Sequence, residues 1–298
     1  MMKRLLATGV TGFVGGACLH ELLQGGFDEI HVVSRGGKGP QSPTLGWHSA
    51  DLRNEAEAVR LVRDLRPTHL FHAAWTTTPG DYLASPDNRA WMCATVAMVR
   101  AFAEQGGRRF LGVGTAAEYG PSAGPCSEVL TPLSPVSLYG EAKALTWQSI
   151  ESITVTHGME AVWCRLFTPY GPGDRPQRLV SLAIAKLRAG EPVPLTIGNP
   201  QRDLVYTADA ARMLAALFNS GATGVFNIGS GQPRTARSVV EAVAERLKMS
   251  GRVRFTDLPP RPWEPAFLVA DMRKVLELGL LTRTPMPAAL DQILRATP

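Results

Sequence analysis

Cysteine is scarce. Cys18, Cys93, Cys126 and Cys164 are the only four in 298 residues, too widely spaced for a disulfide framework or a paired metal-ligand motif. They read as reduced, mostly packed thiols, and no metal is expected. Long hydrophobic runs are also missing: no apolar stretch reaches membrane-spanning length. The opening Met-Met-Lys-Arg-Leu-Leu-Ala-Thr-Gly is interrupted too early by polar and glycine residues to be a secretory signal, so the expected compartment is cytoplasmic. Charge is sparse, at 19% of residues with a net +5, and it contains neither a basic run nor aromatic–basic interleaving. Nucleic acid is therefore not an expected partner. No internal repeat or low-complexity tract occurs. What is present is a 45% hydrophobic chain, long enough for one large domain or two intimately joined ones. Its modest positive balance, much of it arginine, suits a small molecule that carries phosphate.

Apolar runs at Arg4–Val10, Ile30–Ser34, His69–Ala74, Phe110–Thr115 and Ala161–Phe167 read as short buried strands. Helical patterns lie between them, near Phe13–Gln24, Glu55–Leu65, Trp91–Gln105 and Leu138–Thr156. The alternation predicts an α/β fold with a doubly wound parallel sheet, helices on both faces and a ligand at the carboxyl ends of the strands. After Phe167 proline and glycine thicken, and one further strand-like run, Gly224–Gly229, is expected to return to the sheet. The expected organisation is a Rossmann domain over 1–167 plus about 203–229. A smaller C-terminal substrate-binding domain is expected over 168–202 and 230–298.

The first strand runs into Gly9-Val-Thr11-Gly12-Phe13-Val14-Gly15 and then a helix. Glycines at that spacing permit a tight turn, close approach of a pyrophosphate and close helix–sheet packing, while the helix N-terminus offers its positive dipole end. A dinucleotide is the expected cofactor. The second strand ends at Ser34-Arg35, where an NAD-selective site usually carries an acidic residue for the ribose 2′-hydroxyl. A hydroxyl and a guanidinium favour a 2′-phosphate, so NADP(H) is the preferred expectation, with NAD(H) possible and a solvated surface arginine as the plain alternative. Asp51-Leu52 is placed to hold the adenine edge or, equally, to cap a helix.

Tyr139 and Lys143 stand four residues apart in Ser-Leu-Tyr-Gly-Glu-Ala-Lys and project from one helix face. A cation near a phenol favours its ionised form, which makes a proton relay possible. By itself the pair is common on solvated helices. His20, His31, His48, His69 and His157 show no mutual spacing that marks a site and read as packed or surface residues.

Taken together, the chain resembles the extended short-chain dehydrogenase/reductases, the NAD-dependent epimerase/dehydratase superfamily that acts on nucleotide sugars. The resemblance covers nearly the whole length. It is carried by Thr8-Gly-x-x-Gly-x-x-Gly, His72-Ala73-Ala74, Gly114-Thr115, Tyr139-x-x-x-Lys143 and Arg165-Leu-Phe-Thr-Pro-Tyr-Gly-Pro-Gly. Further matches are Arg202-Asp203-Leu-Val-Tyr-Thr-Ala-Asp209, Phe226-Asn-Ile-Gly-Ser-Gly and Arg261-Pro-Trp-Glu-Pro. It implies a catalytic trio in which Thr115 hydrogen-bonds the reacting oxygen, Tyr139 transfers its proton, and Lys143 holds the nicotinamide ribose while lowering the Tyr pKa. It adds His72, Ala73 and Ala74 to the cofactor contacts, His72 having a structural role as its alternative. Trp75, Ala116, Thr168, Arg202 and Arg261 become substrate contacts, the two arginines facing the diphosphate unless they serve as structural ion-pair partners.

Departures narrow the reaction. In 4,6-dehydratases the Thr is followed by Asp and Glu; here Ala116 and Ala117 stand there and transfer no proton, and Glu118 lies one place beyond and points elsewhere. Thr168 stands where many epimerases have Asn, and Trp91 where the usual motif has Asn. The segment from Gly114 to Tyr139, with His72-Ala-Ala-Trp75, is most similar to deoxysugar 4-ketoreductases of the CDP-abequose synthase type. The expected activity is NADPH-dependent reduction of a nucleotide-diphosphate 4-keto-6-deoxy sugar. The rivals are a nucleotide-sugar epimerase using the same trio and a non-catalytic dinucleotide-binding regulator. As in many relatives, a homodimer is expected, paired through the Trp91–Gln105 and Leu138–Thr156 helices, with ordinary core packing as the equal alternative for their apolar residues.

Overall fold

The computed structural model describes residues 2–39, 44–259 and 264–296. The first half alternates strand and helix: β1 (Arg4–Thr8), α1 (Phe13–Leu23), β2 (Glu29–Ser34), β3 (Leu45–Ser49), α2 (Glu55–Leu65), β4 (His69–His72), α3 (Asp87–Glu104), β5 (Arg109–Thr115), α4 (Leu138–His157) and β6 (Glu160–Leu166). The chain continues through β7 (Thr168–Tyr170), α5 (Leu179–Arg188), β8 (Val193–Thr196), β9 (Gln201–Tyr206), α6 (Thr207–Asn219) and β10 (Gly224–Ile228). It finishes with β11 (Pro233–Thr235), α7 (Ala236–Arg246), β12 (Phe255–Leu258), β13 (Phe267–Leu268), α8 (Arg273–Glu277) and α9 (Met286–Ala296).

Seven strands form one sheet in the order β10-β6-β5-β4-β1-β2-β3, and every pair in it is parallel. Helices cover both faces, so the central strands are apolar on both sides: all seven residues of β5 are buried. The order reverses about β1, because the chain first builds β1-β2-β3 outward and then returns to add β4, β5 and β6 on the other side. In open parallel sheets a ligand binds at such a reversal, here beyond the carboxyl ends of β1 and β4. The run at 224–228 does rejoin the sheet, as its edge beside β6.

Local chemistry fixes the helices that matter. Ser137 caps α4 by accepting from the Gly140 amide at 3.1 Å, and Gly158, at φ 64°, ends it in the left-handed region. Tyr139 therefore sits in the first helical turn, beside the carboxyl end of β5. Asn54 caps α2 in the same way.

Two hydrophobic clusters flank the large sheet, one on each face. A third has its own residues, among them Tyr170, Ile184, Leu195, Val240, Val243 and Leu290. It lies where β9 pairs with β7, β11 and β13, and β8 pairs with β12. Asp203 joins this region to the large sheet: fully buried, it accepts from the Ser230, Gly231 and Ala270 amides at 2.6, 2.8 and 3.1 Å. All four cysteines are free thiols, Cys93 alone being exposed. Among the described residues no helix is long and apolar enough to cross a membrane.

Candidate active site

A cavity of about 880 Å³ opens over the carboxyl ends of the strands and extends to the small sheet. Its floor is the glycine turn. Gly9 has φ +74°, and a Cβ there would lie 2.3 Å from the main chain of Ala73 and Ala74; a Cβ on Gly15 would lie 2.3 Å from the Gly9 carbonyl oxygen. These two glycines let β1, β4 and α1 close onto one another. Gly12 precedes α1 without a side-chain cap, leaving the first-turn amides to a ligand. A bare, positively polarised helix end over a backbone cradle fits the pyrophosphate of a dinucleotide.

Gly9, Thr11, Gly12, Phe13, Val14 and Gly15 line this cavity, as do Ser34, Arg35, Asp51, Leu52, Ala73 and Ala74. The Ser34 hydroxyl is buried without a hydrogen-bond partner. Arg35 follows it; Ser49 shapes the turn by donating to the Arg35 carbonyl at 3.0 Å. The neighbouring cation is spoken for: Arg53 pairs with Asp51 at 2.8 Å and Asp87 at 3.0 Å. These bonds to Arg53 hold the Asp51 carboxyl below the usual carboxylate range.

His72 is not brought to the cavity. It is 1% exposed and lies between two hydroxyls, Thr8 Oγ1 at 2.8 Å from Nδ1 and Thr95 Oγ1 at 3.1 Å from Nε2. Burial lowers its pKa to about 3, so the ring is neutral. Its place is structural, joining β1, β4 and α3 inside the sheet's covering layer.

Thr115 ends β5, and Tyr139 and Lys143 face the same cavity from α4. The Thr115 hydroxyl accepts from the Ala117 amide at 3.2 Å, and the Thr115 amide donates to Glu118 Oε1 at 2.8 Å, a capping box that fixes the turn. Ala116 and Ala117 line the cavity. Glu118 points away from it, as its position beyond the motif implies, and pairs with Arg165 at 2.8 Å.

Burial pushes the Tyr139 phenol up, and a side-chain hydrogen bond with Thr115 works against that. The phenol is therefore protonated at neutral pH. Lys143 does not hydrogen-bond it: its Nζ donates to the Val113 carbonyl at 2.7 Å and rests 3.8 Å from the Trp75 ring centroid. Burial lowers the Lys143 pKa to about 7, the Glu118 carboxylate opposing the shift.

Trp75, Thr168 and Arg202 also line the cavity. Arg202 Nη2 lies 3.0 Å from Glu264 Oε1, yet neither Nη2 nor Glu264 Oε2 has a well-formed hydrogen bond. Burial lowers the Arg202 pKa, Glu264 opposing. A cation with an unused donor fits an anionic ligand. Arg261 lies outside the described residues. Reading the sequence missed Tyr82, Asp174, Arg178 and Glu264 as cavity residues. Glu264 stood in the Arg-Pro-Trp-Glu-Pro motif, where only the arginine was singled out; Asp174 and Arg178 follow the Gly-Pro-Gly turn.

Comparison with known proteins places the chain in a family. The model of the NAD dependent epimerase/dehydratase family matches residues 5–229. A dTDP-glucose 4,6-dehydratase of Neisseria gonorrhoeae is 24% identical over 94% of this chain and 91% of its own length. A dTDP-4-dehydro-6-deoxyglucose reductase of Escherichia coli is 23% identical over 98% and 96%. The structure of Thermus thermophilus UDP-glucose 4-epimerase in complex with NAD superposes with a TM-score of 0.85 at 26% identity, covering 98% of this chain and 99% of that one. A family model thus spans most of the chain, including the parallel sheet: the protein belongs to the NAD-dependent epimerase/dehydratase family, the extended short-chain dehydrogenase/reductases that modify nucleotide sugars.

Proposed function

We propose that this enzyme is an NADPH-dependent 4-ketoreductase acting on a nucleotide-diphosphate 4-keto-6-deoxy sugar. The turn after β5 carries the reading. Beside Thr115 the turn lines the cavity with Ala116 and Ala117, whose side chains are single methyl groups, and the one carboxylate of the turn, Glu118, is committed to Arg165. Loss of water from a sugar needs a proton donor and a proton acceptor at adjacent carbons. Two methyl groups provide neither. Thr115 holds a carbonyl oxygen, and Tyr139 gives it a proton; burial keeps the phenol in the protonated form that a reduction requires. NADPH, when bound, supplies the hydride.

Preference for NADPH is supported by Arg35 and the unpartnered Ser34 hydroxyl, a fork and a donor suited to a 2′-phosphate, beside an Arg53 already paired. The segments 168–202 and 230–298 form the substrate-binding part, with Thr168, Arg202 and Arg261 toward the diphosphate. Two copies pair through α3 and α4, a part of the reading that light scattering checks directly.

The test is incubation with CDP-, dTDP-, GDP- and UDP-linked 4-keto-6-deoxy sugars. One of them consumes NADPH mole for mole. Conversion of a nucleotide sugar with no net change in NADPH absorbance identifies an epimerase and removes the proposal.

A further inference from the structure

Trp75 is held in place more firmly than a substrate contact requires. Its indole Nε1 donates to Asn88 Oδ1 at 2.8 Å. Asn88, 2% exposed, is itself held by the Tyr82 and Ser85 carbonyls at 2.7 and 2.9 Å. The Trp75 ring also stacks on Trp91, centroids 5.8 Å apart at 22°, and Trp91 is fixed by a 2.9 Å bond to Thr76 Oγ1. An in-plane hydrogen bond and a stacked neighbour together set both the position and the tilt of the indole. Against this fixed ring lie the two side chains of the α4 pair. Lys143 Nζ rests 3.8 Å from its centroid, and the Tyr139 ring meets it edge-on at 6.3 Å and 72°.

We propose that Trp75 is a positioning residue for the Tyr139–Lys143 pair, its pinned indole holding the Lys143 ammonium and bracing the Tyr139 ring so that both face one wall of the cavity. The roles of Tyr139 and Lys143 rest on the reductase reading; the placement of Trp75 against them does not. An ammonium has three donors, and among the described residues Lys143 has one hydrogen-bond acceptor, the Val113 carbonyl. Removed from water, the remaining charge is met by the electron-rich indole face. A second indole, Trp163 of β6, lies further off, 5.6 Å from Nζ, and its Nε1 donates to Glu118 at 3.0 Å. The titratable groups around Nζ are that Glu118 carboxylate from the turn after β5, neutral His72 from β4 and Tyr139 on its own helix.

The proposal is tested on the ligand-free full chain carrying ¹³Cε-lysine, read by NMR against pH. There are six lysines, and Lys143→Met assigns the one in question. In the unmodified protein the Lys143 ε-protons are shifted upfield by the ring current. Trp75→Leu removes that shift and lowers the Lys143 titration midpoint by about one pH unit. Trp75→Phe, which keeps an aromatic face but not the Asn88 bond, shows a smaller change in the same direction and partly restores turnover relative to Trp75→Leu. A Lys143 resonance without an upfield shift in the unmodified protein overturns the proposal, even if Trp75→Leu does not fold. So does a midpoint that is unchanged or raised in a folded Trp75→Leu, because the indole would then only exclude water. The NMR readouts involve no turnover, so they succeed or fail separately from the sugar reaction.

Discussion

Glu118 and Arg165 form an ion pair, Oε2 to Nε 2.8 Å, whose side chains are 0% and 4% exposed, directly behind the turn that carries Thr115. Glu118 also accepts from Trp163 Nε1 and the Thr115 amide. Arg165 reaches Tyr119 Oη at 3.1 Å, and Tyr119 donates to Asn227 Oδ1 at 2.7 Å. Removing one partner leaves the other charge buried. Glu118→Ala is therefore expected to cost about 3–5 kcal/mol in urea unfolding, and Glu118→Gln, which keeps the shape, less. A Glu118→Ala protein as stable as the parent would show that the pair does not support the turn.

Tyr139→Phe removes the proposed proton donor and leaves the ring packing against Tyr82 and Trp75 in place. Turnover should fall by about 10²–10⁴-fold, with cofactor affinity nearly unchanged. Calorimetric titration of NADPH together with steady-state rates separates the two quantities.

The proposed preference for NADPH rests on Arg35. Arg35→Ala should weaken NADPH binding by about 10–100-fold, the loss of a charge-assisted bond, and leave NADH binding almost as it was. Equal losses for both cofactors would make Arg35 an ordinary surface residue.

His72 ties stability to pH. Its folded pKa of about 3 lies below the unfolded value of 6.5, so the unfolded chain binds the extra proton. The stabilisation is full above pH 6.5 and is lost as pH falls from 6.5 toward 3, in total roughly 3–5 kcal/mol. His72→Gln, destabilised at neutral pH, should show a shallower decline across that window by thermal unfolding monitored with circular dichroism.

The large sheet was legible because its inner strands are continuous buried apolar runs; β5 starts one residue before the run expected from sequence, and β6 is offset by one residue at each end. β3 was not, since Leu45-Gly-Trp-His-Ser is a half-exposed edge strand with no such run. The short strands β7, β8, β11 and β13 hold proline or only two to four residues, too little for a period-2 pattern. The glycine turn, Thr115, Tyr139 and Lys143 could be found because each needs a specific residue type at a specific spacing. Side-chain direction could not. With both faces of β4 buried, nothing in the sequence tells that His72 turns to Thr8 and Thr95 and away from the cofactor wall. Likewise, the four-residue spacing puts Lys143 beside Tyr139, but its long stem carries the ammonium on to Val113 and Trp75. His31 and His48 meet at 3.0 Å only because β2 and β3 pair in that register.

In the proposed reaction this wall delivers a proton while external NADPH delivers a hydride to the sugar carbonyl. NADPH carrying deuterium at the transferred position of nicotinamide C4, incubated with the accepted nucleotide 4-keto-6-deoxy sugar, tests it most directly by mass spectrometry and NMR of the product. One deuterium per product molecule, located at sugar C4, is the expected result. A converted sugar without deuterium, or with deuterium at another carbon, would contradict it.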